Sequence, residues 1–169
     1  AAVWALLSEP FSRAATAWRV VEVADDLQTA RLERTLTTKA ISARLDEAVG
    51  AQQWSYQLLP MGERSMVCNL AINGVGRAGV ASVVGGVAPV DVDDLAERAF
   101  AAAAASFGML TADVVTGSKA EWVDFDADRG VAIYLPDDED ADTHEHAATS
   151  QHEAREPEPA DVTGVGAKP

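Results

Sequence analysis

Histidine is missing from the first 135 residues; all three, His144, His146 and His152, come later. That removes the commonest general base from the part of the chain able to build a core. Cysteine occurs once, at Cys68, so no internal disulfide can form. This suits a reducing cytoplasm, and the expected role of Cys68 is that of a small apolar strand residue. No apolar run approaches the ~18 residues needed to span a membrane. Val3–Leu7 is too short for the apolar core of a signal peptide and lacks a basic flank. A cytoplasmic chain with no membrane partner is therefore expected. After Pro136 large apolar residues are nearly absent, and the sequence is acidic, Pro-rich and aperiodic. Such a segment cannot bury enough surface to offset its ordering entropy. The expected organisation is one domain over residues 1–135 and an acidic disordered tail over 136–169.

Positive charge is also scarce. The net charge is −14, which on its face argues against a nucleic-acid partner. Its distribution matters more. The tail holds ten Asp or Glu against Arg155 and Lys168. Between residues 27 and 90 the balance reverses: Arg31, Arg34, Lys39, Arg44, Arg64 and Arg77 stand against Glu33, Asp46, Glu47 and Glu63. A modest basic groove can therefore exist inside an acidic protein. Arg34, Arg44, Arg64 and Arg77 are candidates for it from local charge alone.

What is present is regular patterning. Val3, Leu6, Leu7 and Phe11 have helical spacing, stopped near Pro10. Trp18–Val23 and Arg31–Leu36 read as strands around an Asp25-Asp26 turn. Thr38 can cap a helix to Val49, with Ile41, Leu45, Ala48 and Val49 as its buried stripe and Gly50 as its stop. Trp54, Tyr56 and Leu58 alternate, as do Met66, Cys68, Leu70 and Ile72, with a hairpin-like Met61-Gly62-Glu63 between the two runs. Arg77–Val87 is rich in small residues and suits a third strand on which something packs closely. A helix is expected from Asp91 or Asp93 to Phe107, stopped by Gly108 and favoured by its acidic N-terminus. Trp122–Asp126 and Val131–Leu135 read as final strands around Asp128-Arg129-Gly130.

The apparent chemical motifs have plainer readings. Gly74-Val75-Gly76-Arg77-Ala78-Gly79 matches the dinucleotide fingerprint. That fingerprint needs a helix opening at the glycines, and the residues that follow, Val80 to Gly86, favour strand and turn. A glycine-rich β-turn is the favoured reading, and a nucleotide-dependent enzyme is the weakest. His144, His146 and His152 lie in the tail, where nothing orients them as metal ligands. Asp124, Asp126 and Asp128 suit an exposed acidic turn better than a cation site. No P-loop or nucleophile–base arrangement occurs, so no catalytic residue, cofactor or metal is expected. Trp18, Trp54 and Tyr56 beside basic residues could stack bases, although alternating aromatic residues more often belong to a core.

Ala40–Gly50 (AISARLDEAVG) followed by Trp54-Ser55 resembles the pattern of the Rad-fifty-two single-strand annealing family, in which a helix ending in Gly precedes a Trp strand. Glu97-Arg98-Ala99-Phe100, leading to Ala105-Ser106-Phe107-Gly108, is similar to that family's long helix, which ends in Phe-Gly. Glu121–Asp126 with Arg129-Gly130 looks like the end of the bacterial DdrA-like (DNA damage response protein A) branch. The N-terminal helix, Pro10-Phe11 and Trp18-Arg19 fit the same branch. The match spans about residues 3–135.

The resemblance implies an α+β fold, with an antiparallel hairpin sheet packed against a long helix and subunits closed into a ring. Single-stranded DNA would lie in a basic groove around that ring, annealed or protected at its ends without chemistry, and the protein would be nucleoid-associated when DNA-bound. Arg19 matches a basic position of the family, and Lys39 is a groove residue by position. The Lys-Arg pair usual before the Phe-Gly end is replaced by Ala101 and Ala102, and the next basic position by Ala105. Arg98, one turn earlier, is the nearest substitute. Losing several cations per subunit weakens binding, because affinity for single strands comes mainly from counterion release. The alternative is a structural or interaction protein with the same fold and ring but reduced or lost DNA binding, its acidic tail recruiting a basic protein partner.

Overall fold

The computed structural model describes residues 2–85, 90–110 and 120–136. Contacts divide the chain into Ala1–Pro136 and Asp137–Pro169. The predicted acidic tail and its histidines lie outside the described residues, as do residues 86 and 87 of the expected third strand.

The first unit is α+β with antiparallel sheets. Helix α1 (Ala2–Leu7) ends where Ser8 Oγ donates to Trp4 O, and it buries Leu7 completely. Strands β1 (Thr16–Val23) and β2 (Thr29–Leu36) form a hairpin, with Trp18 opposite Arg34 and a bulge between Val20 and Glu22. Helix α2 (Thr38–Val49) is fastened by Thr37, whose side chain accepts from Ala40 N, so the cap falls one residue before the expected Thr38. Ile41 and Leu45 are fully buried, and Gly50 ends the helix at φ 87°.

Strands β3 (Trp54–Pro60), β4 (Ser65–Ile72) and β5 (Val75–Ser82) make a three-stranded meander. Met66, Cys68, Leu70 and Ile72 are buried, as their alternation requires. The β4–β5 turn is Asn73-Gly74, both at positive φ, the signature of a two-residue hairpin turn. The fingerprint-like glycines therefore open a strand. The last of them, Gly79, faces the backbone of Ala102 and Ala103. Small residues on β5 do admit a close neighbour: helix α3 (Val92–Ala105), 14 residues capped by Asp91.

Helix α3 ends two residues short of the expected Phe107. Ser106 Oγ donates to Ala103 O, Met109 N reaches back to Ala104 O, and Gly108 turns the chain at φ 90°. Its face of Leu95, Ala99, Phe100, Ala103 and Ala104 is buried, with Cys68, Leu70 and Ala81 in the same core. Burying such side chains contributes about 1.5–3 kcal/mol for each large one.

Strand β6 (Glu121–Asp126) joins β2, and β7 (Val131–Ala132) joins β6, giving the order β1-β2-β6-β7. Strand β7 is shorter than the predicted Val131–Leu135. Ile133 N still donates to Asp124 O, and the ladder stops before Pro136, which has no N–H to offer. The two sheets meet at a parallel bridge between Glu22 and Val84, where Val23 N donates to Val84 O and Val84 N to Val21 O. No helix among the described residues is long and apolar enough to cross a membrane.

Candidate nucleic-acid groove

A groove of about 280 Å³ runs between α3 and the ends of β2 and β5. One wall carries Ala101, Ala102 and Ala105, which lie on one side of α3 by helical spacing. Facing them are Glu33, Arg34 and Thr35 from β2 and Val80 from β5, with Arg98 also in the lining. The groove is smooth, half-apolar and lightly charged.

Of the nominated cations it gathers two, Arg34 and Arg98. Arg34 lies over the Trp18 ring at 4.6 Å and donates to Thr16 Oγ1 at 2.9 Å. Arg98 donates to Val20 O at 3.2 Å and to Ser82 O at 2.9 Å, clamping the two sheets beside their bridge. Burial lowers the Arg98 pKa; Asp94 and Glu33 act against that shift, and Arg31 adds to it.

The other five are dispersed. Arg19 sits in a different cleft, of about 330 Å³, where it bridges Asp94 at 3.1 Å and also pairs with Glu97. Glu97 in turn accepts from Thr38 N at 2.8 Å, so one carboxylate ties β1 to the start of α2. Arg44 donates to Leu6 O and Glu9 O and stacks over Phe11, closing the end of α1. Arg64 donates to the carbonyls of Val83 and Gly85. Arg77 donates to Ser106 O and lies over Phe107. Cations at helix C-termini and beside loose carbonyls satisfy groups that the backbone leaves open. Lys39 is exposed on the first turn of α2.

The aromatic candidates are also engaged. Trp54 stacks on Phe100 and Tyr56, and its indole N–H donates to Asp46. Tyr56 tilts over Phe100 at 4.8 Å yet stays 46% exposed. Asp126 uses its carboxylate on the amides of Asp128 and Arg129, which makes the acidic run a turn.

Sequence reasoning missed Asp94 and Glu97 as partners of Arg19. The spacing of Asp94 from Glu97 and Arg98 on α3 was a usable signal, since residues three and four apart share a helix side. Their meeting with Arg19, which lies 78 positions from Glu97, had no local signal. Burial is the largest influence on Asp94, which rises to about 6 despite Arg19 and Arg98, with Asp91 and Glu97 adding to the rise. Burial likewise pushes the Cys68 thiol up to about 11, consistent with a core residue. No protein-family model, curated protein or solved structure matches the chain.

Proposed function

We propose that the chain binds single-stranded DNA without chemistry, as a subunit of a ring that anneals strands or protects DNA ends, in the manner of the DdrA-like branch it resembles. The observation that carries this reading is the α3 groove. Ala101, Ala102 and Ala105, the positions the resemblance assigns to a DNA groove, line a real groove together with Arg34 and Arg98. A strand laid there meets two guanidiniums and a smooth apolar wall, which supplies few phosphate contacts per subunit. Binding is then shallowly salt-dependent, with a slope of about −0.7 for each phosphate neutralised.

Fluorescence anisotropy with a labelled oligothymidylate at low salt tests the reading. Binding that weakens as salt rises supports it, and no binding at low salt overturns it. A second reading is a ring-forming scaffold of the same fold with little DNA affinity. It is favoured by the internal engagement of Arg19, Arg34, Arg44, Arg64, Arg77 and Arg98 with carboxylates, carbonyls, a hydroxyl and rings. That reading requires an assembled particle that leaves the oligonucleotide free at low salt.

A further inference from the structure

Two stretches of the chain, Ala51–Gly62 and Gly130–Pro136, carry no charged residue, although charged residues make up 24% of the whole. The fold places them at opposite ends of its β-structure. Strand β3 is the outer strand of one sheet and β7 the outer strand of the other. With the Glu22–Val84 bridge joining the sheets, the strands run β3-β4-β5 and then β1-β2-β6-β7. Among the described residues no strand pairs with the outer side of β3 or of β7.

Both ends are uncharged and open. Ser55, Gln57 and Leu59 are exposed on β3, with Tyr56 on its other side. Val131, Ile133, Tyr134 and Leu135 are all exposed at the opposite end. An outer strand presents unpaired N–H and C=O groups, and proteins blunt such edges with charge, bulges or proline. Strand β3 has only Pro60, at its last position. A β3–β3 contact between two copies would leave the second uncharged end uncovered. A head-to-tail contact covers both ends of every copy, because each end meets the other kind on its neighbour.

We propose that β3 of one copy pairs edge to edge with the Val131–Leu135 segment of a second copy, a heterologous contact that repeats from subunit to subunit. The inference deepens the ring part of the proposed function and rests on it only for closure of the repeat; DNA plays no part. The full chain is compared with two double variants, Gln57→Lys/Leu59→Lys and Ile133→Lys/Leu135→Lys, by native mass spectrometry and far-UV circular dichroism. All four positions are solvent-facing or half-open, so the monomer fold is expected to survive.

The wild type should assemble to a multiple of 17.8 kDa, and each variant alone should stay at that monomer mass. An equimolar mixture of the two should form a heterodimer, since each retains the end the other has lost. A monomeric wild type, a wild-type oligomer formed by either variant, or a mixture that stays monomeric overturns the contact. Amide hydrogen exchange of the wild type gives a variant-free check: protection at Trp54–Leu59 and Val131–Leu135 must rise with protein concentration through the assembly range. Loss of oligonucleotide binding with this assembly intact would overturn the DNA reading alone.

Discussion

Substituting Gly79 by alanine tests the closest approach in the fold. A Cβ there would lie 2.5 Å from the Ala102 carbonyl carbon, 2.7 Å from Ala103 Cα and closer still to Ala103 N, whereas real Cβ contacts essentially never fall below 3.0 Å. The obstacles are helix backbone, which has no rotamer by which to yield. Helix α3 must therefore retreat from β5, loosening Leu95, Ala99, Phe100 and Ala103 against Cys68, Leu70 and Ala81. Overpacking costs about 1–3 kcal/mol, and a rigid obstacle belongs at the upper end of that range. The lower entropy of the unfolded alanine chain returns about 0.4–1 kcal/mol. The expected net loss is roughly 2–3 kcal/mol, lowering Tm by about 7–10 °C for a unit of this size. Gly76→Ala is the control, because nothing lies within 4 Å of its added Cβ. Urea unfolding followed by tryptophan fluorescence reads both variants. A Gly79→Ala loss below about 0.5 kcal/mol, the scatter of ordinary surface changes, or no larger than that of Gly76→Ala, refutes the packing account.

Three further outcomes follow from the site and the core. Replacing Ala102 and Ala105 by lysine adds two cations to the groove wall, so the salt slope for oligothymidylate should steepen by about 1.4, some sevenfold between 50 and 200 mM salt. An unchanged slope means the strand lies elsewhere. Asp94, raised from 3.8 to about 6, binds its proton more tightly in the folded state. Its contribution is fully present below about pH 4 and lost as pH rises through about 6, on the order of 2–3 kcal/mol for a carboxyl this little exposed. The Asp94→Asn variant should flatten the stability–pH profile in that window, and a wild-type slope in the variant refutes the assignment. Cys68, fully buried with its thiol raised to about 11, should resist a disulfide reagent at pH 8 in the native chain and react at once in urea.

Much of the framework was legible because it is local. The Ile41–Leu45 stripe with Gly50 delimits α2, and four alternating pairs from Met66 to Ile72 can only be a half-buried strand. Acidic residues before an alanine run announce α3. The glycine-rich turn expected over Gly74–Gly79 falls earlier, at Asn73-Gly74, a dipeptide that identifies a hairpin more sharply than the glycines that follow it. What could not be read was distant. Strand β6 reaches back to β2, with Thr29 opposite Asp124, and nothing near either residue announces the other. The groove was hidden for the same reason. A list of arginines gives the charge available, but their destinations depend on which carbonyls the fold leaves open. Arg44 goes to the end of α1 and Arg77 to the end of α3 because those helix ends need donors, a demand that exists only after folding.

That demand bears on how such a groove could hold DNA. An arginine that moved from Val20 O and Ser82 O to a phosphate would leave two carbonyls open at the seam between the sheets, each costing about 1–3 kcal/mol if buried. The gain from a phosphate is a charge-assisted hydrogen bond, of comparable size. Arg98 therefore acts best by its field from where it stands in the groove lining, rather than as a mobile finger. Its surroundings limit even that field, since Glu33 lines the same groove and Asp94 attracts the same guanidinium. Removing Glu33 should then raise oligonucleotide affinity more than removing an exposed acid remote from the groove, such as Asp25. Glu33→Gln and Asp25→Asn are isosteric and change the net charge equally, and Glu33→Gln also releases Arg31, which Glu33 holds at 2.6 Å. Equal effects on affinity would mean that overall charge, and not this groove, governs binding.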